Sequence, residues 1–527
     1  MRMLCTLLDG ICPRATLTIG RWRRIGLLCL VLAAVIASPA QDEQTSPDVV
    51  TFKVLVNYDG GNGNGGGPEV QGTDGNLYGI SFGGTNGMGN VLKLTPAGSL
   101  TTIYKFCSLP NCTDGSGPAD GLVAGTDGNF YGTTSVGGAY SNASQCSPGC
   151  GTVFQITPAG TLKTLYSFCA QTNCTDGSVP NALVLGSDGN FYGTTSNGGT
   201  STACSVVGCG TVFMITPQGA FTSLHSFDST DGEAITAPLM QAADGNFYGV
   251  AQVGGAFSYG TVFRITPKGE LTTIHSFGAQ PNVADGASPW ARLVQAANGH
   301  LYGVTLNGGA NCQISGLTCG TVFEISLAGA FSVLHSFCTQ TNCPDGAAPL
   351  PGLIQGSDGN FYGTTFVGGT GHNCSPAFFG PGCGTVFQIT SSGTLTTLHD
   401  FDGTDGGPLI QGIVQGTNGT FYGGTGQGGT SSACSGGCGT IFGLSVGLRP
   451  FIETLPTSGK VGDTIQIMGN DLTNATSVNF NGTAAAFTVV SKTLIKATVP
   501  AAATTGFVRV SGPNATLKSN VKFRVRP

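Results

Sequence analysis

A turn of the form Asp-Gly-Asn-x-Tyr-Gly recurs through most of this chain, and no other feature limits its fold as tightly. It begins at Asp74, Asp127, Asp188, Asp244 and Asp358, with weaker copies from Asn298 (NGHLYG) and Asn418 (NGTFYG). The seven copies lie 53 to 61 residues apart. A second motif follows in phase: NVLKLTP from Asn90, GTVFQITP-like runs from Gly151, Gly210, Gly260, Gly320 and Gly384, and GTIFGLS from Gly439. A third, of the LTTLHSF type, starts near Leu100, Leu162, Phe221, Leu271, Phe331 and Leu395. Self-similarity at such a period is the mark of a repeat architecture.

Each repeat reads as four short strands. The run before the Asp-Gly turn is the first and FYGTT the second, because Asp-Gly between apolar runs is a strong hairpin signal. TVFQIT is the third, and LTTLYSF, reached through a Pro-x-Gly turn, is the fourth. Four antiparallel strands per repeat is the pattern of a propeller blade. Helical repeats would show a 3.6-residue period, which is absent. The fourth strand is one copy short, since the chain runs on after GTIFGLS without it. Thr51 to Tyr58 (TFKVLVNY) supplies the same pattern ahead of repeat one. The expected fold is therefore all-β, a seven-bladed β-propeller over 51–448. An N-terminal strand completes its last blade, removing the exposed edge.

Three of the nineteen cysteines (Cys5, Cys12, Cys29) precede the repeats. The other sixteen form two kinds of local pair. Cys107/Cys112, Cys169/Cys174 and Cys338/Cys343 follow a fourth strand. Cys146/Cys150, Cys204/Cys209, Cys312/Cys319, Cys374/Cys383 and Cys434/Cys438 lie between second and third strands. Repeats that lack one member lack both, which pairing within each loop explains. A zinc site would need four sulfurs converging in space, whereas these pairs fall in separate repeats. Eight disulfides that stiffen the loops are expected, with no metal and no cofactor.

Arg21, Arg23 and Arg24 precede an apolar run, Ile25 to Ala37, and then Ser38-Pro39-Ala40. This describes a secretory signal over 1–40, followed by a linker over 41–50. The run is shorter than the ~20 residues of a membrane span, and no later segment qualifies. A secreted or cell-surface location follows, where disulfides persist. Gln41 to Leu448 carries 7 basic and 23 acidic residues, a net of −16. Arg449 to Pro527 carries 9 basic and 3 acidic, a net of +6. An acidic body excludes nucleic acid as a partner, because phosphate recognition needs a basic face.

From Arg449 the Gly content falls and the strands alternate cleanly. PFIETLPTSGKVGDTIQIMGNDLTNATSVNFNG, with Gly462, Gly469, Phe480, Gly482 and Val499-Pro500, resembles the IPT/TIG family of immunoglobulin-like domains over Pro450 to Val525. The resemblance implies a β-sandwich over 449–527, a spacer or interaction module without catalytic residues. Through DGNFYGTT…GGxxxxGTVFxITPxG, Thr51 to Leu448 resembles the GloVer tandem-repeat family of exported bacterial proteins. That family's sorting tail is not visible in the closing VKFRVRP.

Polar residues that recur in register serve the fold first. His225, His275, His335 and His399 share a strand position with Tyr104 and Tyr166, which reads as an aromatic slot. The Asp of each Asp-Gly-Asn suits a turn more than calcium, since two repeats carry Asn there. A second acid (Asp114, Asp176, Asp231, Asp285, Asp345, Asp405) also reads as turn chemistry. Residues that break the pattern are the functional candidates: Glu233, Trp290, Arg292, His300, His372 and Phe378-Phe379. Trp290 with Arg292 is the ligand-binding candidate, an aromatic and a fork that could stack on a sugar or peptide. No nucleophile elbow, HExxH or P-loop occurs. The sequence predicts an exported, non-enzymatic binding or structural protein with a glycan or cell-surface partner. The alternative is a polysaccharide hydrolase or lyase.

Overall fold

The second repeat shows how the motifs become a sheet. Strands Ser116–Ala124, Phe130–Val136, Thr152–Ile156 and Leu162–Ser167 pair antiparallel in chain order. The first turn is fixed by Asp127, whose carboxylate accepts from Asn129 N–H at 3.1 Å, Asn129 Nδ2 at 2.7 Å and Tyr131 Oη at 2.9 Å. Gly132 follows Tyr131 because a Cβ there would stand 2.6 Å from Phe154 Cζ of the third strand. Third and fourth strands lose register between Val153 and Phe154. The same β-bulge recurs in each later repeat that has a fourth strand, as at Val212/Phe213 and Val386/Phe387. A bulge at a fixed place sharpens the local twist.

This is a computed structural model, and it describes residues 50–527 except 142–145, 147–148, 205–206, 313–318, 372–373, 375–381 and 410. The expected secretory signal over 1–40, His372 and Phe378-Phe379 lie outside the described residues. The chain is all-β, with 3-10 turns as its helical pieces among those residues. No helix there is long and apolar enough to cross a membrane.

Seven antiparallel sheets follow the seven turns and are numbered here in that order. In sheets three and five the first strand breaks in two, as at Ala287–Pro289 and Val294–Gln295. In sheets four, six and seven only its second half remains a strand. Proline does not set the difference, since Pro68 and Pro118 lie within the unbroken first strands of sheets one and two. Sheet seven takes its outer strand from Thr51–Asn57, antiparallel to Thr440–Ser445, with a bulge between Val54 and Val56.

Each sheet packs on the next through one apolar seam. The Tyr of one turn meets the Phe of the following turn, with ring centroids 4.2 Å apart for Tyr78–Phe130 and 4.0 Å for Tyr131–Phe191. Burial of such a side chain contributes about 1.5–3 kcal/mol. Sheets seven and one share a seam too, where Tyr58, Tyr422 and Ile441 cluster with Leu77 and Leu92. A recurring glutamine stitches the seams. Gln71 Oε1 accepts Thr417 N–H of sheet seven at 2.8 Å, and Gln241, Gln295 and Gln415 accept from Ser187, Ala243 and Ser357 of the preceding sheets.

The C-terminal strands form two four-stranded sheets and one parallel pair, Ser458–Lys460 with Arg524–Arg526, around Ile452, Ile467, Phe480, Ile495 and Val510. This sandwich rests on the turn ends of four sheets. Phe451 N–H donates to Thr417 O (2.9 Å), Thr493 Oγ1 to Thr73 O (2.8 Å) and Gln466 Nε2 to Thr126 O (2.8 Å). Arg524 reaches the carbonyls of Ala242 and Ala243 in sheet four.

Candidate functional site

Strand alternation divides each sheet into two ends. The Asp-Gly and Pro-x-Gly turns stand at one end, which the C-terminal sandwich contacts. The second-to-third loops and the lead-in loops to the next sheet stand at the other, here the loop end. All sixteen cysteines after residue 50 lie there, joined as Cys107–Cys112, Cys146–Cys150, Cys169–Cys174, Cys204–Cys209, Cys312–Cys319, Cys338–Cys343, Cys374–Cys383 and Cys434–Cys438. They are not all apart in space. Cys146, Cys150, Cys169 and Cys174 have sulfurs within 4.8 Å of one another, with Cys146 Sγ 3.6 Å from Cys169 Sγ. The expectation from the sequence that every pair stands apart from the others fails here. The loop of sheet two leans on the lead-in to sheet three, and two disulfides pack together.

The recurrent acids organise the lead-in loops. Asp176, fully buried, accepts Tyr166 Oη at 2.8 Å, Ala170 N–H at 3.0 Å and Gln171 N–H at 3.3 Å. His225, His335 and His399 take the tyrosine's part, with Nε2 at 2.7, 2.9 and 2.8 Å from Asp231, Asp345 and Asp405. His275 stands 3.6 Å from Asp285, and burial holds its pKa below the ordinary value against the pull of that carboxylate. The aromatic slot and the second acid, read separately in the sequence, are two halves of one device. The double glycine of each second-to-third loop clamps onto the same lead-in, as Gly138 N–H donates to Cys112 O and Gly199 N–H to Cys174 O, both at 3.0 Å.

Sheet four departs from its neighbours. Its loop, GGAFSYG, is short and carries no cysteine. Its place on the loop end is a recess of about 580 Å³, lined by Ser229, Thr230, Glu233, Val253, Ala256 and Ser258 among others. Glu233 is anchored by its backbone, exchanging hydrogen bonds with Val253 at 2.9 and 3.2 Å. No described residue hydrogen-bonds its carboxylate. Phe257 (49% exposed) and Tyr259 (42%) stand on the same loop. Gly278 lies beneath them, at a position that Cys107, Cys169 and Cys338 hold in other repeats. A Cβ on Gly278 would stand 2.3 Å from Tyr259 Cδ2. An aromatic ring occupies the place where other loops carry a disulfide.

Trp290 and Arg292 are not drawn into one platform. Trp290 is half-buried and packs against the buried cluster that holds Cys319, Cys338, Cys343 and Val367, a packing role. Arg292 lies in the break of the first strand of sheet five, exposed and without a described partner. Surrounding protein nonetheless pulls its pKa down by desolvation. His300 serves its own turn, with Nδ1 2.6 Å from Glu324. Glu233 was among the pattern-breaking residues. Nothing in the sequence marks Phe257 and Tyr259, because the gap left by the missing disulfide loop is what exposes them.

The repeat pattern of the Gloeobacter/Verrucomicrobia repeat family matches residues 44–205, 143–316, 205–442 and 315–485, most of the chain. The chain belongs to this family. The IPT/TIG domain pattern matches residues 450–525, so this Gloeobacter/Verrucomicrobia repeat protein ends in a TIG domain. No curated protein matches it. Among solved structures it is similar to a fungal alcohol oxidase of the AA5 family in complex with copper, at 12% identity and a TM-score of 0.51. That match covers 92% of this chain and 100% of that one, a likeness of fold alone. It is also similar to the extracellular domain assigned to a hybrid two-component system of B. thetaiotaomicron. There the identity is 11% and the TM-score 0.44, over 90% of this chain and 58% of that one.

Proposed function

We propose that this repeat protein is an exported carbohydrate-binding protein. In this reading Thr51 to Leu448 closes into a seven-bladed β-propeller, 449–527 is its TIG domain, and the ligand site is the loop end of sheet four. The seam between sheets seven and one and the Gln71–Thr417 hydrogen bond support closure. Eight disulfides and a signal-type segment support export, because disulfides persist in oxidising compartments.

One observation carries the binding reading: Phe257 and Tyr259 stand exposed beside a recess lined by Ser229, Thr230, Ser258 and Glu233. Sugars present apolar C–H faces to aromatic rings and hydroxyls to polar side chains. A largely pre-formed recess with a few polar groups is the usual form of such a site. Hydrolysis of a glycosidic bond requires two carboxyl groups about 5–9.5 Å apart. Glu233 is the single carboxylate among the described lining residues, so the recess favours binding over cleavage. The test is a polysaccharide binding panel on the purified full chain, with product analysis. Binding that Phe257→Ala weakens about tenfold, without released oligosaccharide, is expected. Release of oligosaccharide, or binding indifferent to Phe257→Ala, contradicts the reading.

A further inference from the structure

The sheet-four loop has a counterpart. GGAFS from Gly254 in sheet four matches GGAYS from Gly137 in sheet two, and Tyr140 (48% exposed) stands where Phe257 does. Tyr140 also has a polar recess beside it. That recess, about 490 Å³, is lined by Ser141, Gln171, Thr172, Asn173 and the Cys169–Cys174 pair. Two aromatic stations, each next to a polar recess, therefore stand on one end of the molecule. Between them lies the loop of sheet three, braced by Cys204–Cys209. Among the described residues from Thr51 to Leu448, every exposed large hydrophobic side chain (Met88, Leu109, Tyr140, Phe257 and Tyr259) stands in a loop at this same end.

Charge narrows the occupant. Of the seven basic residues between Gln41 and Leu448, Lys105 alone stands at the loop end of its strand. Lys53, Lys93, Lys163, Arg264 and Lys268 stand toward the turns, and Arg292 sits in a strand break. Asp59, Asp228, Glu233 and Asp402 add negative charge at the loop end. A polyanion would meet repulsion there with almost no cation to answer it.

We infer that the loop end binds a neutral polysaccharide chain along its length, with Tyr140 and the Phe257–Tyr259 pair as two separated subsites. This rests on the carbohydrate reading of sheet four and names the ligand class. A chain long enough to reach both stations gains the second contact intramolecularly, so its affinity exceeds that of a short oligosaccharide by a factor on the order of 100. The disulfide-braced loops hold the stations in place before binding, which lowers the ordering cost.

Calorimetric titration of the full chain with a neutral polysaccharide, its own short oligosaccharides and polygalacturonate separates the outcomes. Tyr140→Ala is expected to bring the polymer's affinity down to that of the short oligosaccharide while leaving the short one unchanged. Phe257→Ala is expected to weaken both. Polygalacturonate is expected not to bind. If Tyr140→Ala leaves polymer affinity intact, or polygalacturonate binds as tightly as the neutral chain, the two-station inference fails while sheet four keeps its sugar site. If no glycan binds at all, both fall together.

Discussion

Single buried carboxylates hold the loop end in shape. Asp176 collects one hydroxyl and two backbone donors with no solvent to replace it. An unsatisfied buried donor costs about 1–3 kcal/mol, so Asp176→Ala should lower stability by about 3 kcal/mol in urea unfolding. A shift under about 0.5 kcal/mol would mean that the loop finds other partners. His275 gives a pH dependence with a definite sign. Burial depresses its pKa in the folded state and Asp285 only partly offsets this, so the unfolded chain takes up the proton first as pH falls. The stability linked to His275 is full above the ordinary histidine pKa and declines as pH drops through and below it. Its Nε2 also lacks a hydrogen bond. In His275→Tyr the urea midpoint should vary less between pH 7.5 and pH 5.5, because Tyr104 and Tyr166 already donate to the matching acid at 2.8 Å.

At the scale of the element, the seven sheets are joined by side chains as much as by backbone. Thr51–Asn57 covers the edge of Thr440–Ser445, and an uncovered flat edge recruits further strands. A chain lacking Thr51–Asn57 should therefore aggregate, read by light scattering, whereas Gln71→Leu should not and should lose about 1–2 kcal/mol with one hydrogen-bond latch. The sequence disclosed the strand, since TFKVLVNY repeats the fourth-strand pattern locally. It did not disclose the glutamines. Gln71, Gln241, Gln295 and Gln415 matter through a neighbour that lies more than fifty residues away in the chain, and no local pattern records such a partner.

For the molecule as a whole, the TIG domain leaves the loop end as the free face. Along Glu453–Leu455 the side chains alternate between the sandwich core and the repeats. Thr454 is buried, Leu455 packs on the seam of sheets one and two, and Glu453 shares the face of Leu455. Desolvation pushes the Glu453 pKa up to about 7, and no described group pairs with the carboxylate. The folded chain thus holds this proton where the unfolded chain releases it. The contribution is favourable at acidic pH and is lost as pH rises toward 7. Glu453→Gln should raise the Tm at pH 8 and leave it nearly unchanged at pH 4.5. An equal rise at both values would point to a packing effect instead.

By itself the sequence determined the four-strand unit, its sevenfold repetition, the cysteine pairs and the change of composition at Arg449, because each is written within a few tens of residues. Turn chemistry, strand alternation and short loops are local, so their record is local. Only the tertiary structure decided which end the TIG domain covers, which histidine meets which aspartate, and that a missing disulfide loop uncovers Phe257 and Tyr259. Those are relations between segments far apart in the chain, set by how seven near-identical sheets pack side by side.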